Sequence, residues 1–252
     1  AQAISRICRL LILALIISGC GRIPPTQTAE AGIPVPPIEP ARSAEPTATM
    51  DTSPTDFPTQ TAIPESKSNR YVFDINLDMT RHTLSVEQQI LFHNSYPESL
   101  VELVLMIPPN QEAGIFHLSS LELMSGTVIQ NYLLDDERMT IPLESPLQPG
   151  EWIGLMIIYD LILPQGNGLL NDTGRQLNLA DWYPFIPVYQ SGTGWLTHAA
   201  GAAGEHLVYD VADYDITLIL VQPDEGWVVA ASAPEEPIED GWHFSLPQAR
   251  SF

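Results

Sequence analysis

Lysine is nearly missing from this chain, and cysteine is missing from most of it. Lys67 is the only lysine in 252 residues. From Arg70 to Phe252 there are 25 Asp and Glu against five Arg, so −20 of the formal net charge of −21 lies in that stretch. A surface this poor in cations repels nucleic acid, whose binding depends on Lys and Arg neutralising phosphates. It repels anionic lipid headgroups for the same reason, and its bland reading is solubility. The two cysteines, Cys8 and Cys20, both precede that stretch, which therefore has no disulfide and no thiolate metal site.

Signatures of chemistry are scarce as well. A zinc hydrolase needs two histidines one helical turn apart with a glutamate beside the first, and His82, His93, His117, His198, His206 and His243 are scattered. There is no Gly-x-Ser-x-Gly elbow and no Walker-type loop. Ser191-Gly192-Thr193-Gly194 is a flexible loop rather than a phosphate cradle, because no helix follows it. No window of a dozen residues carries a helical stripe, and no repeat recurs at a fixed period.

What is present begins with an address. Arg6 and Arg9 precede the apolar residues 10–17, and Ser18, Gly19 and Cys20 follow. A basic start, a short apolar segment and small residues at a cut site make a secretory signal. Eight apolar residues fall far short of the roughly 20 that span a bilayer. Ile17-Ser18-Gly19-Cys20 resembles a bacterial lipobox, with Ile17 where leucine is usual. The resemblance implies that residues 1–20 are a lipoprotein signal, that Cys20 is acylated, and that the protein sits on the extracytoplasmic side of the cell envelope. Otherwise Cys20 is simply a small residue at an ordinary cleavage site. Residues 21–69 are expected to be a disordered tether. The 22–68 stretch holds 10 of the 23 prolines and eight threonines, and it cannot bury enough apolar surface to offset its ordering entropy. A Pro-rich tether is semi-extended and holds its cargo away from the membrane.

Residues 70–252 read as one all-β domain. Tyr71, Phe73, Ile75, Leu77 and Met79 alternate with Asp74, Asn76 and Asp78, the period of a half-buried strand. Residues 84–92 repeat the pattern after a turn, with Gln88 as the one polar break. Residues 100–107 are nearly all apolar and end at Pro108-Pro109-Asn110, which suits a strand buried on both faces. Further strands are expected at 118–124, 127–133, 139–143, 152–163, 214–221, 227–231 and 242–246, with a hairpin tip at 135–137 and separators at 223–226 and 235–241. Regular strands with Pro/Gly-rich turns predict a sandwich or a related curved sheet.

A few constellations could carry a function. His82 and His93 could face each other across a hairpin and bind a metal, although satisfied strand histidines are far commoner. Asp210, Asp213 and Asp215 could hold calcium through oxygen ligands. They lack the glycine and distal glutamate of a calcium loop, and on a strand Asp213 and Asp215 share a face while Asp210 does not. Trp182-Tyr183-Pro184-Phe185 could line a pocket, close a sheet or form a domain interface.

The order of these features resembles the N-terminal domain of the aminopeptidase N-like zinc metallopeptidases, the gluzincins. Residues 71–79 look like that family's opening strand. Phe92-His93-Asn94 looks like the close of its second, and residues 100–107 resemble the next. Pro146-Leu147-Gln148-Pro149-Gly150 matches the turn before a long strand. Asn178 to Pro184 resembles an Asn-x-x-x-Trp-Tyr-Pro segment, and residues 211–216 resemble the Tyr-Asp-Val strand after it. Ala249-Arg250-Ser251-Phe252 resembles the Ala-Arg-Asp-Phe that hands over to the catalytic domain.

The resemblance implies a saddle-like β-sandwich packed against a thermolysin-like domain that binds zinc and a peptide substrate. That domain's Gly-x-Met-Glu-Asn strand and His-Glu-x-x-His helix are not in these 252 residues, so the chain is expected to be a fragment with no catalytic residue and no cofactor of its own. In some members the N-terminal domain donates a Gln or Glu that grips the substrate's free amine. Gln176 or Asn178 stands nearest that position, without the family's longer loop. The competing expectation is a non-enzymatic, lipid-tethered extracytoplasmic binding module.

Overall fold

In the computed structural model the described residues are 67–198, 207–221 and 227–252. The signal, the lipidation expected at Cys20 and most of the tether lie outside them. The described residues belong to one unit, Gln60–Phe252.

The chain enters on β1 (Asn69–Asp78), β2 (Thr83–His93) and β3 (Leu100–Met106), then makes a short 3-10 helix, Pro108–Gln111. Next come β4 (Phe116–Leu123), β5 (Leu133–Asp135), β6 (Arg138–Leu147) and β7 (Trp152–Ile162). Four short strands follow: β8 (Leu170–Asp172), β9 (Leu177–Leu179), β10 (Tyr189–Gln190) and β11 (Gly194–Trp195). The chain closes with β12 (Ala212–Val221), β13 (Glu235–Ile238) and β14 (Gly241–Ala249). This is the all-β class expected from the alternation.

A seven-stranded sheet has the order β13-β14-β12-β1-β2-β7-β4, and a three-stranded sheet has the order β3-β6-β5. Alternation decides which face of the large sheet is buried. Tyr71, Phe73, Ile75 and Leu77 point inward from β1, while Asp74 and Asn76 are exposed. β2 and β7 keep the same phase, so Leu84, Val86, Ile90, Leu155, Ile157 and Tyr159 join them in one core with Leu103, Leu105, Met139 and Ile141 of the small sheet. Burying each such side chain contributes roughly 1.5–3 kcal/mol. In β3, Leu103, Val104, Leu105 and Met106 are buried in succession, as a strand covered on both faces requires.

Asp78 makes the β1–β2 turn, its Oδ1 accepting from the amides of Thr80 and Arg81 at 2.9 and 2.8 Å, an Asx arrangement. On its other edge β1 pairs in parallel with β12, from Asn69 opposite Ala212 to Asp78 opposite Val221. That pairing joins strands more than a hundred residues apart in sequence.

Three expected elements differ. Of the segment 127–133 only Leu133 enters a strand, as the first residue of β5, and Val128 makes an isolated bridge to Glu122. Its residues are nearly all exposed, so no buried face holds it in a ladder, and the hairpin tip at 135–137 joins β5 to β6 instead. Residues 227–231 form no strand either. Residues 235–241, expected as a separator, supply β13 and the turn into β14, where Asp240 adopts φ 60°.

Candidate functional site

The β8–β9 hairpin carries the two residues singled out for a substrate's free amine. Thr173 builds its turn: the hydroxyl accepts from the amide of Gln176 at 3.1 Å, and Gly174 takes φ 77°. Asp172, buried at the turn's start, accepts from the Gly174 amide at 2.6 Å, and its other oxygen lies 2.6 Å from His82 Nδ1.

Gln176 and Asn178 are brought together. Gln176 Nε2 donates to Asn178 Oδ1 at 2.6 Å, and Asn178 Nδ2 donates to Asn171 Oδ1 at 2.8 Å. Asn171 is buried and donates in turn to the Gly166 carbonyl. Gln176 is exposed and Asn178 half-buried, so one side chain reaches solvent from an anchored relay. Asn171, Asp172 and His82 were not legible as parts of this arrangement. The signal available was turn composition around Gly166, Gly168 and Gly174.

Beside the hairpin lies a groove of about 780 Å³, within the size range of ligand pockets. Leu77, Leu218 and Leu220 form its floor on the large sheet, Leu177 and Leu179 one wall, and residues 227–232 another. Trp182, Ser251 and Phe252 also line it.

The Trp182-Tyr183-Pro184-Phe185 segment does two of the three things considered for it, lining a pocket and joining a sheet. Trp182 faces the groove, whereas Tyr183 and Phe185 are buried between the sheets. Phe185 exchanges both backbone hydrogen bonds with Met106, at 2.8 and 2.9 Å. The Tyr71 hydroxyl oxygen accepts from the Ile186 amide at 3.1 Å. Trp182 and Tyr183 pack on Phe73 with ring centroids 5.0 and 5.2 Å away.

The same segment fixes the end of the described chain. The Tyr183 hydroxyl accepts from the Phe252 amide at 3.3 Å, and the Tyr214 hydroxyl donates to the Arg250 carbonyl at 2.9 Å. Arg250 also reaches the Tyr209 carbonyl at 3.0 Å. Burial pushes the hydroxyls of Tyr71, Tyr183, Tyr209 and Tyr214 well above the ordinary tyrosine value. They therefore act as neutral hydrogen-bonding groups rather than as acids.

The remaining candidates separate. His82 precedes β2 and His93 ends it, about 36 Å apart at strand rise, so the hairpin does not make them a pair. Instead His93 stacks on Trp152, with centroids 4.7 Å apart. Asp213 and Asp215 do share a face, but each carboxylate has its own partner. Asp213 accepts from the Gln248 amide at 2.9 Å, Asp215 pairs with Arg70 at 3.2 Å, and Asp210 accepts from the Val211 amide at 2.8 Å. Among the described residues no three His, Cys, Asp or Glu side chains are grouped to hold a metal. These residues do not fit zinc.

No family model matches the sequence, and no curated protein matches it. Solved structures do. An M1 zinc metallopeptidase from Deinococcus radiodurans is 16% identical, covering 73% of this chain and 40% of its own, with a TM-score of 0.42. A mutant of an M1 zinc metallopeptidase from the same organism, bound to a Tyr-Ser-Ala substrate, is 16% identical over 71% of this chain and 38% of its own, with a TM-score of 0.39. A two-domain M1 zinc metallopeptidase mutant bound to L-arginine is 13% identical over 73% and 40%, with a TM-score of 0.41. This chain spans well under half the length of each.

Proposed function

We propose that residues 70–252 are the non-catalytic N-terminal β-sandwich of a membrane-anchored zinc metallopeptidase of the aminopeptidase type. Peptide hydrolysis then belongs to a domain after Phe252, where zinc polarises the peptide carbonyl and activates water. The observation that carries the reading is a convergence. Three segments on which the family resemblance rests, Trp182-Tyr183, Asp213-Tyr214-Asp215 and Ala249-Arg250-Ser251-Phe252, meet through the Tyr183 and Tyr214 hydroxyls. Independent segments have no reason to meet unless they serve one arrangement, here the fixing of Phe252 on the sheet.

In this reading the chain's own contribution is shape. With Nε2 engaged on Asn178, Gln176 has Oε1 to accept from a substrate ammonium at the rim of the downstream site. Acylation of Cys20, with residues 21–69 as tether, would hold the protein at the extracytoplasmic face of a membrane. Its support is the basic start, the short apolar segment and the lipobox-like Ile17-Ser18-Gly19-Cys20.

The deciding experiment reads the gene past Phe252 and assays the whole protein. A His-Glu-x-x-His with a distal Glu, and chelator-sensitive release of N-terminal residues from peptides, is the expected outcome. A stop codon, or a continuation without those ligands, overturns it and leaves a tethered binding module, for which the groove is the obvious site. For the anchor, incorporation of labelled palmitate should vanish in Cys20→Ala; unchanged labelling would overturn it.

A further inference from the structure

The groove's outer wall is a segment that has the sequence of a strand and none of its bonds. Residues 227–232 read Trp-Val-Val-Ala-Ala-Ser, a composition that favours a pleated, half-buried setting. Among the described residues no backbone hydrogen bond joins any of them to a neighbour. Val228 is 86% exposed and Trp227 37%. An apolar, unpaired strand sequence in the open is an edge that natural proteins cover or blunt, and this one carries no charge and no proline.

Two further features say what covers it. Phe252 lines the same groove and is fixed there by Tyr183, so any chain continuing past it starts at the groove's rim. Arg175 lines it too. Among the described residues the other arginines are engaged: Arg70 with Asp215, Arg81 with Asp78, Arg138 with Glu102, and Arg250 with the Tyr209 carbonyl. The Arg175 guanidinium has no such partner among the described residues. A single unpaired cation at an apolar groove, in a domain of net charge −20, selects an occupant that is apolar and carries an acid.

We infer that residues 227–232 and the groove beside them receive an extended apolar segment of the domain following Phe252, which pairs with 227–232 as an added strand and sets an acidic side chain against Arg175. This rests on the reading given under Proposed function. The added strand takes its affinity from main-chain hydrogen bonds and its register from alternate side chains entering the groove.

The test uses the full-length protein with the photo-cross-linker p-benzoylphenylalanine replacing Val228, and the same probe at Val101, 65% exposed on β3, as control. Mass spectrometry should map the position-228 cross-link to residues beyond 252, with none to the same peptide from position 101. Arg175→Glu should lower the yield roughly fivefold, on the order of one lost charge-assisted contact. Cross-links to residues before 67, to a second copy or to another protein would each overturn the inference, as would no cross-link. If the gene encodes an active zinc domain that the probe misses, the inference alone fails. If no such domain is encoded, the underlying reading fails with it.

Discussion

Gln88 donates its side-chain amide to the Pro184 carbonyl at 2.7 Å, in the interior of the domain. Gln88 is fully buried on the inner face of β2, in phase with Val86 and Ile90. The hydrogen bond ties the large sheet to the Trp182-Tyr183-Pro184-Phe185 segment, which in turn bridges to β3 through Phe185 and Met106. Replacing Gln88 with alanine strands a buried carbonyl and opens a cavity. The expected cost is about 2–4 kcal/mol, read as a lower urea midpoint.

Asn171 plays the matching part in the β8–β9 hairpin. Asn171→Ala removes the acceptor of Asn178 and the donor to Gly166. A loss of about 1–3 kcal/mol is expected, with faster amide exchange confined to residues 170–179. Unchanged exchange there would show that the relay does not hold Gln176 in place.

Gly241 opens β14 against β12. A Cβ there would run into the Leu218 carbonyl, backbone that cannot rotate away. Gly241→Ala is therefore expected to cost roughly 1–3 kcal/mol, although stiffening the unfolded chain offsets up to about 1 kcal/mol. Thermal unfolding measures it.

Tyr183→Phe deletes the acceptor of the Phe252 amide and the donor to Tyr214. It should cost about 1–2 kcal/mol. Its sharper signature is rapid hydrogen exchange at Phe252, while the buried amides of β1 keep their protection.

His243 lies between two carboxylates, with Asp215 3.1 Å from Nε2 and Glu236 3.3 Å from Nδ1. The hydrogen bond to Asp215 raises its pKa above the ordinary histidine value; burial opposes this, and the hydrogen bond to Glu236 adds to the rise. A raised folded value makes the imidazolium stabilising. That contribution is complete below the unfolded value of about 6.5 and is lost as pH rises through the folded one. Stability of the β13–β14–β12 edge should decline across that window, and His243→Gln should flatten the decline. An NMR titration of His243 gives the midpoint.

The long strands were legible because each carries its own face. In β1 from Tyr71 and in β12 every second residue is apolar, and β2 departs from this only at Gln88; a half-buried sheet accommodates that period. The unpaired 227–231 and the misplaced 235–241 show where the pattern misleads. Apolar alternation says what a segment can do once it has a partner, and Trp227-Val228-Val229 has none here. Glu235-Glu236-Pro237 looks like a breaker, yet β13 forms because an edge strand needs pairing on one side only.

By itself the sequence determined the class of the domain, its acidic charge, the turns at 108–110, 135–137 and 149–150 and the lack of cysteine from Arg70 onward. Each follows from composition or a short period, which acts over neighbouring residues. Only the tertiary structure decided that β12 lies parallel to β1, that Gln88 is a core residue whose side-chain amide donates to Pro184, and that Gln176 stands beside an apolar groove. It also decided that His82 and His93 stay apart. These depend on which distant segments pack together, and that is set by the best joint burial of many side chains rather than by any local stretch.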